Sequence, residues 1–255
     1  MSAARLAQIW RHPVKAHGRE RIDMVTLEEG KALPWDRVWA IAHERSCFDV
    51  ERPGWNPPGD FSRGCSSPRL QQIECYTDPR YRSITFYHPD RTPLTINPHD
   101  HGDGCEFIQW VMPISLGAKL LPSRFVRAPD EAMTDTGYQS ISLINLASHR
   151  ALAAHLGQEL SELRWRGNFL VEGLEPWEEM SWVGKTLRLG PVEFEVVEPI
   201  SRCRMTEANP ETGKRDAETL QGLREAFGHQ DCGVYLKVTK GGEIWEGMEF
   251  EVVEP

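Results

Sequence analysis

The stretch VEFEVVEPISRCRM, residues 192–205, alternates apolar and polar side chains and then places a cysteine between two arginines. Val192, Phe194 and Val196 stand two positions apart, which puts their side chains on one face of a β-strand. The first half of the stretch therefore predicts a half-buried strand. The thiol of Cys203 follows that strand directly, and ligand contacts concentrate on loops that rigid elements hold in place.

Short runs of the same kind recur along the chain and predict further strands. They lie at 6–10, 22–27, 38–42, 84–87, 94–96, 141–144, 234–238 and 248–253. Helical patterns are fewer. Ser148 predicts the N-cap of a helix that Gly157 ends, and Asp216 predicts the N-cap of a helix that Gly228 ends.

Many short strands with few helices predict a mainly β or α+β fold, closer to a β-barrel than to a doubly wound sheet. The turn-rich segments 51–68 and 98–106 are predicted loops, and the first is long enough to be functional or mobile. Polar, turn-rich sequence near 120–140 predicts a seam between an N-terminal β-rich domain, 1–125, and a C-terminal barrel, 126–255.

The 255 residues are 40% hydrophobic, which suffices for a packed core, and carry a formal net charge of −9. An acidic chain repels phosphate backbones, so no nucleic-acid partner is expected, and an anionic ligand needs a locally positive pocket. No apolar run reaches the roughly 20 residues of a membrane span, and no secretory leader or membrane partner is expected. The six cysteines form no CxxC pair, so we expect reduced thiols in a cytoplasmic protein.

Cys203 carries the clearest chemical signal in the sequence. Positive charge from Arg202 and Arg204 is expected to lower the pKa of this thiol and to favour the thiolate, the form that binds metals or acts as a nucleophile. The alternative is a buried structural cysteine whose flanking arginines point to solvent, since most free cysteines are small buried hydrophobes. Local sequence leaves both interpretations open.

Basic side chains elsewhere could hold an anion. Arg164 and Arg166, in RWRGNF, stand two positions apart on a predicted strand face and, with Asn168, could bind a phosphate or the polar edge of a heterocycle. Lys15 and Arg37 fall at the ends of the first and third predicted strands, where ligand contacts are common. The alternative for the two arginines is a solvated strand edge.

Taken in order, these clusters resemble the signature of the MOSC family (the molybdenum cofactor sulfurase C-terminal domain), preceded by its N-terminal β-barrel partner. Within that family the chain resembles the bacterial and mitochondrial amidoxime-reducing proteins, a group that includes YcbX. The resemblance implies a MOSC β-barrel with a few helices and an N-terminal β-rich domain. The matching stretches are RHPVKA at 11–16, LPWDRVW at 33–39, RWRGN at 164–168, SRC at 201–203 followed by NPETG at 209–213, and CGVY at 232–235 with GEIWEGMEF at 242–250.

The resemblance also implies a molybdenum cofactor, a molybdopterin, with Cys203 as the metal ligand and catalytic residue. Three positions depart from the family pattern: Ala16 replaces a serine, Gly167 replaces a proline and is expected to loosen its loop, and Cys65 replaces an arginine. The implied cofactor contacts are Lys15, Arg37, Ser148, Arg166, Asn168, Ser201, Arg202 and Cys203.

The activity implied by the resemblance is two-electron reduction of the N–O bond of N-hydroxylated small molecules. Because no plant-type iron–sulfur domain follows the barrel, electrons are expected from a separate ferredoxin, flavoprotein or cytochrome. A second hypothesis is a cofactor-binding module that delivers sulfur as a persulfide on Cys203. A β-rich scaffold without a cofactor would require all four motif matches to be accidental.

Overall fold

The computed structural model describes residues 4–253, which form fifteen strands and three α-helices and confirm the predicted mainly β, α+β fold. The helices are α1 (His101–Ser115), α2 (Leu146–Leu156) and α3 (Thr219–Phe227). None of the helices within this range is long and apolar enough to span a membrane. The strands are β1 (Arg5–Arg11), β2 (Glu20–Ile22), β3 (Met24–Leu27), β4 (Trp39–His43), β5 (Glu74–Asp78), β6 (Ser83–His88), β7 (Arg91–Ile96), β8 (Pro122–Arg127), β9 (Ile141–Asn145), β10 (Phe169–Glu172), β11 (Thr186–Leu189), β12 (Val192–Ser201), β13 (Asp231–Lys240), β14 (Gly242–Trp245) and β15 (Phe250–Val253).

One eight-stranded sheet dominates the fold, in the order β15-β11-β12-β13-β9-β10-β1-β2. Its neighbours are antiparallel except for β9 and β10, which run parallel. Val192, Phe194 and Val196 of β12 are fully buried in the core on one side of this sheet, which confirms the strand that their alternation predicts. The sheet carries β12 to Ser201, so the strand ends two residues before Cys203.

The first strands of the chain belong to the same sheet as the last ones. β1 pairs with β10, and β3 pairs with β14 in a small separate ladder. The strands of the N-terminal 30 residues therefore pair with the C-terminal barrel, while the turn after β1 also packs on the segment that follows, with Val14 in the same core as Trp39. The predicted division at residue 125 stays a prediction, but the two parts of the chain share a sheet.

A smaller layer holds the β4–β8 pair, the β5-β6-β7 meander and α1, and confirms the predicted strands 84–87 and 94–96, which pair as neighbours in β6 and β7. The prediction of a loop over 98–106 is wrong, because α1 begins at His101. Asp100 caps this helix by accepting from the Asp103 amide, and Phe107 and Trp110 bury one helix face against Phe86. The glycines and polar residues of its first turn obscured the helix in the sequence.

The ends of α2 and α3 are partly as predicted. Gly157 and Gly228 end the helices in left-handed conformations, as the sequence indicates. The predicted N-cap Ser148 is wrong, because Asn145 caps α2 through its side-chain oxygen. The predicted N-cap Asp216 is also wrong, since α3 begins at Thr219, after Glu218.

Two buried histidines near the start of the chain, His12 and His17, make the stability of the fold depend on pH. Burial lowers the pKa of His17 to about 4, and it lowers the pKa of His12 well below its usual value. Nδ1 of His17 donates to the Lys15 carbonyl at 2.7 Å, whereas its Nε2 has no partner. The folded protein therefore keeps both rings neutral at a pH where the unfolded chain takes up protons.

We expect the free energy of unfolding to decrease as the pH falls from about 6.5 towards 4, because only the unfolded state then binds protons at His17. This group alone accounts for up to about 3 kcal/mol of that loss. His17→Asn, whose amide can replace the Nδ1 donor, should flatten the dependence in urea unfolding curves. The exposed His155→Asn is the control, and equal pH dependence in both variants would contradict the assignment.

Candidate functional site

A cavity of about 450 Å³ lies beyond the end of β12, where the loops from several elements meet. Seven of the eight site residues predicted from the sequence line it: Lys15, Arg37, Arg166, Asn168, Ser201, Arg202 and Cys203. The predicted loop 51–68 contributes Pro58, Arg63, Gly64 and Cys65, so part of this loop does form a cavity wall. The arrangement gathers side chains that are spread over most of the sequence.

Ser148 is the predicted residue that the structure does not bring to this cavity. Its hydroxyl is fully buried on α2 and donates to the carboxylate of Glu179, with O–O distances of 2.8 and 2.9 Å. It also accepts from the amide of Trp177 at 2.7 Å. These contacts hold α2 to the segment around residue 178, a role in stability rather than in ligand contact.

The cavity wall is strongly positive although the chain as a whole is acidic. Two acidic side chains, Asp135 and Glu198, accompany the basic ones in the lining. The basic side chains number five: Lys15, Arg37, Arg63, Arg166 and Arg202. Such a local excess of cations is what an anionic ligand requires in a chain with a net charge of −9.

Arg166 has an unused hydrogen-bond donor at this wall. Its guanidinium is 6% exposed and donates from NH2 to the Gly18 carbonyl at 2.9 Å, but NH1 is buried without a partner. Burial, followed by the charges of Arg37 and Arg19, lowers the pKa of Arg166. Buried donors in native proteins are nearly always satisfied, so this orphaned group points to an anion that completes the site.

Three of the predicted contact residues, Arg37, Asn168 and Arg202, already form hydrogen bonds within the protein. Arg202 donates to the carbonyl of Cys232 and, at 3.0 Å, to that of Trp165. Arg37 is held by Asp36, by the Arg166 carbonyl and by the side-chain oxygen of Asn168. These side chains fix the cavity wall and supply positive charge, whereas Arg166 retains a free donor.

Lys15 is buried and forms an ion pair with Asp135, and its Nζ also donates to the Met133 carbonyl at 2.7 Å. Burial lowers the pKa of Lys15, although Asp135 opposes that shift. Enclosure opposes ionisation of Asp135 as well, but Lys15 and Arg37 hold its pKa below the usual value. The positive charge of Lys15 is therefore partly neutralised by the carboxylate of Asp135, which also faces the cavity.

The segment RWRGN does not form the strand that its alternation predicts. Residues 162–165 are a 3-10 helix, Arg166 has a φ of 49°, and β10 begins only at Phe169. The two arginines diverge, since Arg164 pairs with Asp216 on the far side. The expected loosening at Gly167 is not seen, because its backbone packs so closely that an added Cβ would lie 2.3 Å from Cγ1 of Ile144.

Cys203 is exposed at the cavity, so the interpretation as a buried structural cysteine is wrong. The thiol of Cys65 lies close enough to that of Cys203 for each group to affect the ionisation of the other. Interaction with Cys203 lowers the pKa of Cys65 to about 6, and interaction with Cys65, together with burial, raises the pKa of Cys203. The two thiols therefore titrate as a pair.

The expectation that flanking arginines acidify Cys203 is therefore wrong. Arg202 points inward to backbone carbonyls, and Arg204 points to the surface, where it pairs with Glu207 at 2.9 Å. Neither guanidinium is among the largest causes of the pKa shift of this thiol. A bound metal cation would have to displace the thiol proton, as it does at other cysteine ligands.

Sequence reasoning missed three further residues of the lining. Cys65 was seen only as a departure from a family pattern, and Asp135 lies in a segment interpreted as a polar seam. Tyr235 lies on β13 opposite Glu198 and presents a phenol to the cavity. Burial raises the pKa of Tyr235 to about 12. The signal for Tyr235 in the sequence is its place in the CGVY stretch, which supports the family resemblance but does not by itself mark a site residue.

The residues present fit an anionic cofactor that carries a thiophilic metal. The unpartnered NH1 of Arg166 calls for an anion, and the exposed Cys203 offers a soft sulfur ligand in the same cavity. Fold and cavity thus define a mainly β protein with a cysteine-bearing, positively charged ligand site.

Comparison with known proteins agrees with this description. Residues 130–251 match the model of the MOSC domain. The chain is 42% identical over 112 residues to molybdenum cofactor sulfurase 2 of Culex quinquefasciatus, a match to 40% of this chain and 14% of that protein. It is 27% identical over 255 residues to the molybdenum cofactor sulfurase of Drosophila mojavensis, covering 91% of this chain and 32% of that protein.

The chain thus spans less than a third of the length of these curated relatives. The solved YUAD protein from Bacillus subtilis aligns with a TM-score of 0.49 and 13% identity, over 98% of this chain and 95% of that one. The family match over residues 130–251 agrees with the MOSC resemblance that the order of the sequence motifs predicts.

The free donor of Arg166 leads to a prediction for the cofactor-free protein. Inorganic phosphate should raise the thermal unfolding midpoint, because an anion that binds only the folded state stabilises it. Arg166→Met should reduce phosphate affinity about tenfold or more, the effect of losing a charged hydrogen bond. The exposed Arg188→Met on β11 is the matched control, and an unchanged phosphate response in Arg166→Met would contradict the anion site.

Proposed function

We propose that this chain binds a molybdenum cofactor in the cavity, with Cys203 as the protein ligand to the metal, and reduces the N–O bond of N-hydroxylated compounds. The observation that carries the proposal is the exposed Cys203 thiol in a cavity that Arg166, with its unpartnered NH1, also lines. The MOSC domain and the molybdenum cofactor sulfurases among its relatives support the link to this cofactor. The finer activity rests on the resemblance to amidoxime-reducing proteins.

The protein's part is to hold and orient the cofactor. Arg166, Lys15 and the exposed Ser201 would contact its anionic and polar groups, and Cys203 would supply a soft thiolate. Arg37, Asn168 and Arg202 act as positioning residues, because their side chains are committed to the protein. When bound, the molybdenum cofactor supplies a metal centre that exchanges two electrons with a substrate.

Reduction of an N–O bond to an amine or amidine and water consumes two electrons and two protons. Tyr235 is the side chain that we assign to proton delivery. Its phenol lines the cavity, and because burial raises its pKa to about 12 it remains protonated at neutral pH. A protonated phenol can donate to a leaving hydroxyl and recover its proton from solvent through the open cavity.

We propose that the electrons come from a separate redox protein of ferredoxin, flavoprotein or cytochrome type, in the cytoplasm. This part of the proposal rests on the resemblance to amidoxime-reducing proteins, and the open cavity leaves a bound cofactor within reach of such a partner. A donor protein that is oxidised only when an N-hydroxylated substrate is present would support this part of the proposal.

Replacing Cys203 tests the ligand assignment. Cys203→Ala, expressed in a host that makes the cofactor, should lose most of its molybdenum, because it removes the thiolate that the proposal assigns to the metal. Metal and pterin are measured per chain by mass spectrometry and fluorescence. Cys105→Ala removes an exposed thiol on α1 and should retain both. Equal molybdenum content in the Cys203 and Cys105 variants would contradict the assignment.

Tyr235→Phe tests the proton donor. The variant should keep its molybdenum content while turnover of an aromatic amidoxime, driven by a reduced viologen, falls about 10²-fold. The loss should appear in kcat rather than in KM, because the phenol acts on the leaving group. Tyr76→Phe changes an exposed tyrosine on β5 and serves as the control. Unchanged kcat in Tyr235→Phe would remove this residue from the mechanism.

The sulfur-carrier hypothesis keeps one specific observation in its favour. Cys203 is exposed and has a second thiol beside it, an arrangement that suits the formation and release of a persulfide. In that function the purified chain would carry a sulfur that thiols release from Cys203, and it would not turn over N-hydroxylated bases. The two functions are therefore separable by one sulfur assay and one activity assay.

A further inference from the structure

The cavity contains a second thiol whose role the reductase proposal does not explain. Cys65 lies in the long loop between β4 and β5, and Cys203 follows β12, so the two cysteines are far apart in the sequence. Both line the same cavity, where the segments that carry them pack against each other. Cys203 is exposed and Cys65 is half-buried, so small reagents can reach the pair.

Packing of the backbone on both sides holds this contact in place. A Cβ added to Gly64 would lie 2.8 Å from Cγ of Met205, so the loop rests directly on the turn that follows Cys203. Arg215 donates to the Cys65 carbonyl at 2.6 Å. Gln71, further along the same loop, donates to the Met205 carbonyl at 3.3 Å. The packing of these two segments therefore keeps the two thiols next to each other in the cavity wall.

The other cysteines provide internal comparisons. Cys75 and Cys232 are buried, and Cys47 and Cys105 are exposed outside the cavity lining. All six are free thiols in this structure. Among cysteines of the described chain, the pair in the cavity alone combines a thiol neighbour with solvent access.

We propose that Cys65 and Cys203 are an oxidisable pair that closes to a reversible intrachain disulfide when the chain meets a low-molecular-weight disulfide. The thiolate of one cysteine attacks the reagent and forms a mixed disulfide, releasing one thiol of the reagent. The second cysteine then attacks the protein sulfur of that mixed disulfide and releases the other thiol. The protein loses two electrons and two protons, and the reagent disulfide is reduced to two thiols.

The geometry required for the bond is modest. A disulfide has an S–S length of about 2.05 Å and needs Cβ atoms roughly 4 Å apart. Thiols that line one cavity on directly packed segments reach this geometry by side-chain rotation and a small shift of the loop that carries Cys65. Hydrogen bonds that involve the side chains of Gln71 and Arg215 hold the loop near Cys65, so it can accommodate the shift.

One consequence rests on the proposed function. A sulfur engaged in a disulfide cannot act as a thiolate ligand, so oxidation would exclude the metal from Cys203, and bound cofactor would protect the pair from oxidation. The pair would then act as a redox-dependent control on cofactor loading, with a dithiol reductant restoring the loadable state.

The test uses the full chain purified without cofactor. The reduced protein is incubated with oxidised glutathione, remaining thiols are alkylated, and peptides are mapped without reduction. We expect a peptide linked through Cys65 and Cys203, while Cys47 and Cys105 carry glutathione. In Cys65→Ala the internal partner is missing, so Cys203 should accumulate as the glutathione mixed disulfide. Cys105→Ala should leave the crosslink unchanged.

Recovery of wild-type Cys203 as an alkylated thiol or as a mixed disulfide, under conditions that modify Cys47 and Cys105, would overturn the proposal. Thermal unfolding of reduced Cys65→Ala, matched against reduced wild type, shows whether the variant is folded. If it is not folded, Cys65→Ser with the same mapping replaces it.

A second readout separates this inference from the proposed function. Oxidised and reduced protein are offered cofactor released from a molybdenum enzyme, and bound molybdenum is measured. Molybdenum uptake by the reduced form alone supports both the proposed function and the disulfide. A crosslink without uptake by either form would contradict the proposed function and leave the disulfide standing. Uptake without any crosslink would overturn the disulfide and leave the proposed function standing.

Discussion

The cavity depends on a buried hydrogen-bonded contact between two strands that run parallel. The side-chain oxygen of Asn168 accepts from the backbone amide and the hydroxyl of Ser142, at 3.1 and 2.9 Å, and from Arg37 at 3.3 Å. Its side-chain amide donates to the Trp10 carbonyl at 3.1 Å. One residue thus joins β9, the start of β10, the end of β1 and the segment before β4. Because a half-satisfied buried amide is costly, these four segments have one low-energy arrangement.

That arrangement places positive charge where a ligand can use it. Arg37 is held in the Asn168 contact, and Arg166 stands two residues earlier with one donor unsatisfied. Concentrated cations in a wall raise the free energy of the ligand-free protein, since like charges repel at short range. Asp135 and Asp36 offset part of this repulsion. A bound anion would offset the rest, which makes the ligand part of what stabilises the site.

Much of the fold follows from periodicity and turn chemistry. The alternation at 192–197 and the glycines at 157 and 228 predicted β12 and the ends of α2 and α3, because burial on one strand face and left-handed helix ends are local requirements. The helix α1 was hidden by the polar, glycine-containing sequence of its first turn, and only its tertiary packing on Phe86 and Phe125 accounts for it. Local pattern could not supply that contact.

The residues of the site likewise divide into those that the sequence predicts and those that only the folded structure brings together. Family-like motifs identify Cys203, Arg166 and their neighbours, whereas Ser148, a contact that the resemblance implies, lies within α2 and donates to Glu179 instead. The proximity of Cys65 to Cys203 could not be predicted, since it arises from an irregular loop packed on a turn that is remote in the sequence. The same contact reverses the expected acidity of Cys203, which the adjacent arginines suggested but do not control.

X-ray absorption at the molybdenum edge of the cofactor-loaded chain counts the sulfur atoms around the metal and tests directly whether the sulfur of Cys203 binds it. We predict one more sulfur ligand in wild type than in Cys203→Ser, with the same number in Cys105→Ser as in wild type. An identical sulfur count in wild type and Cys203→Ser, at equal molybdenum content, would contradict this ligand assignment.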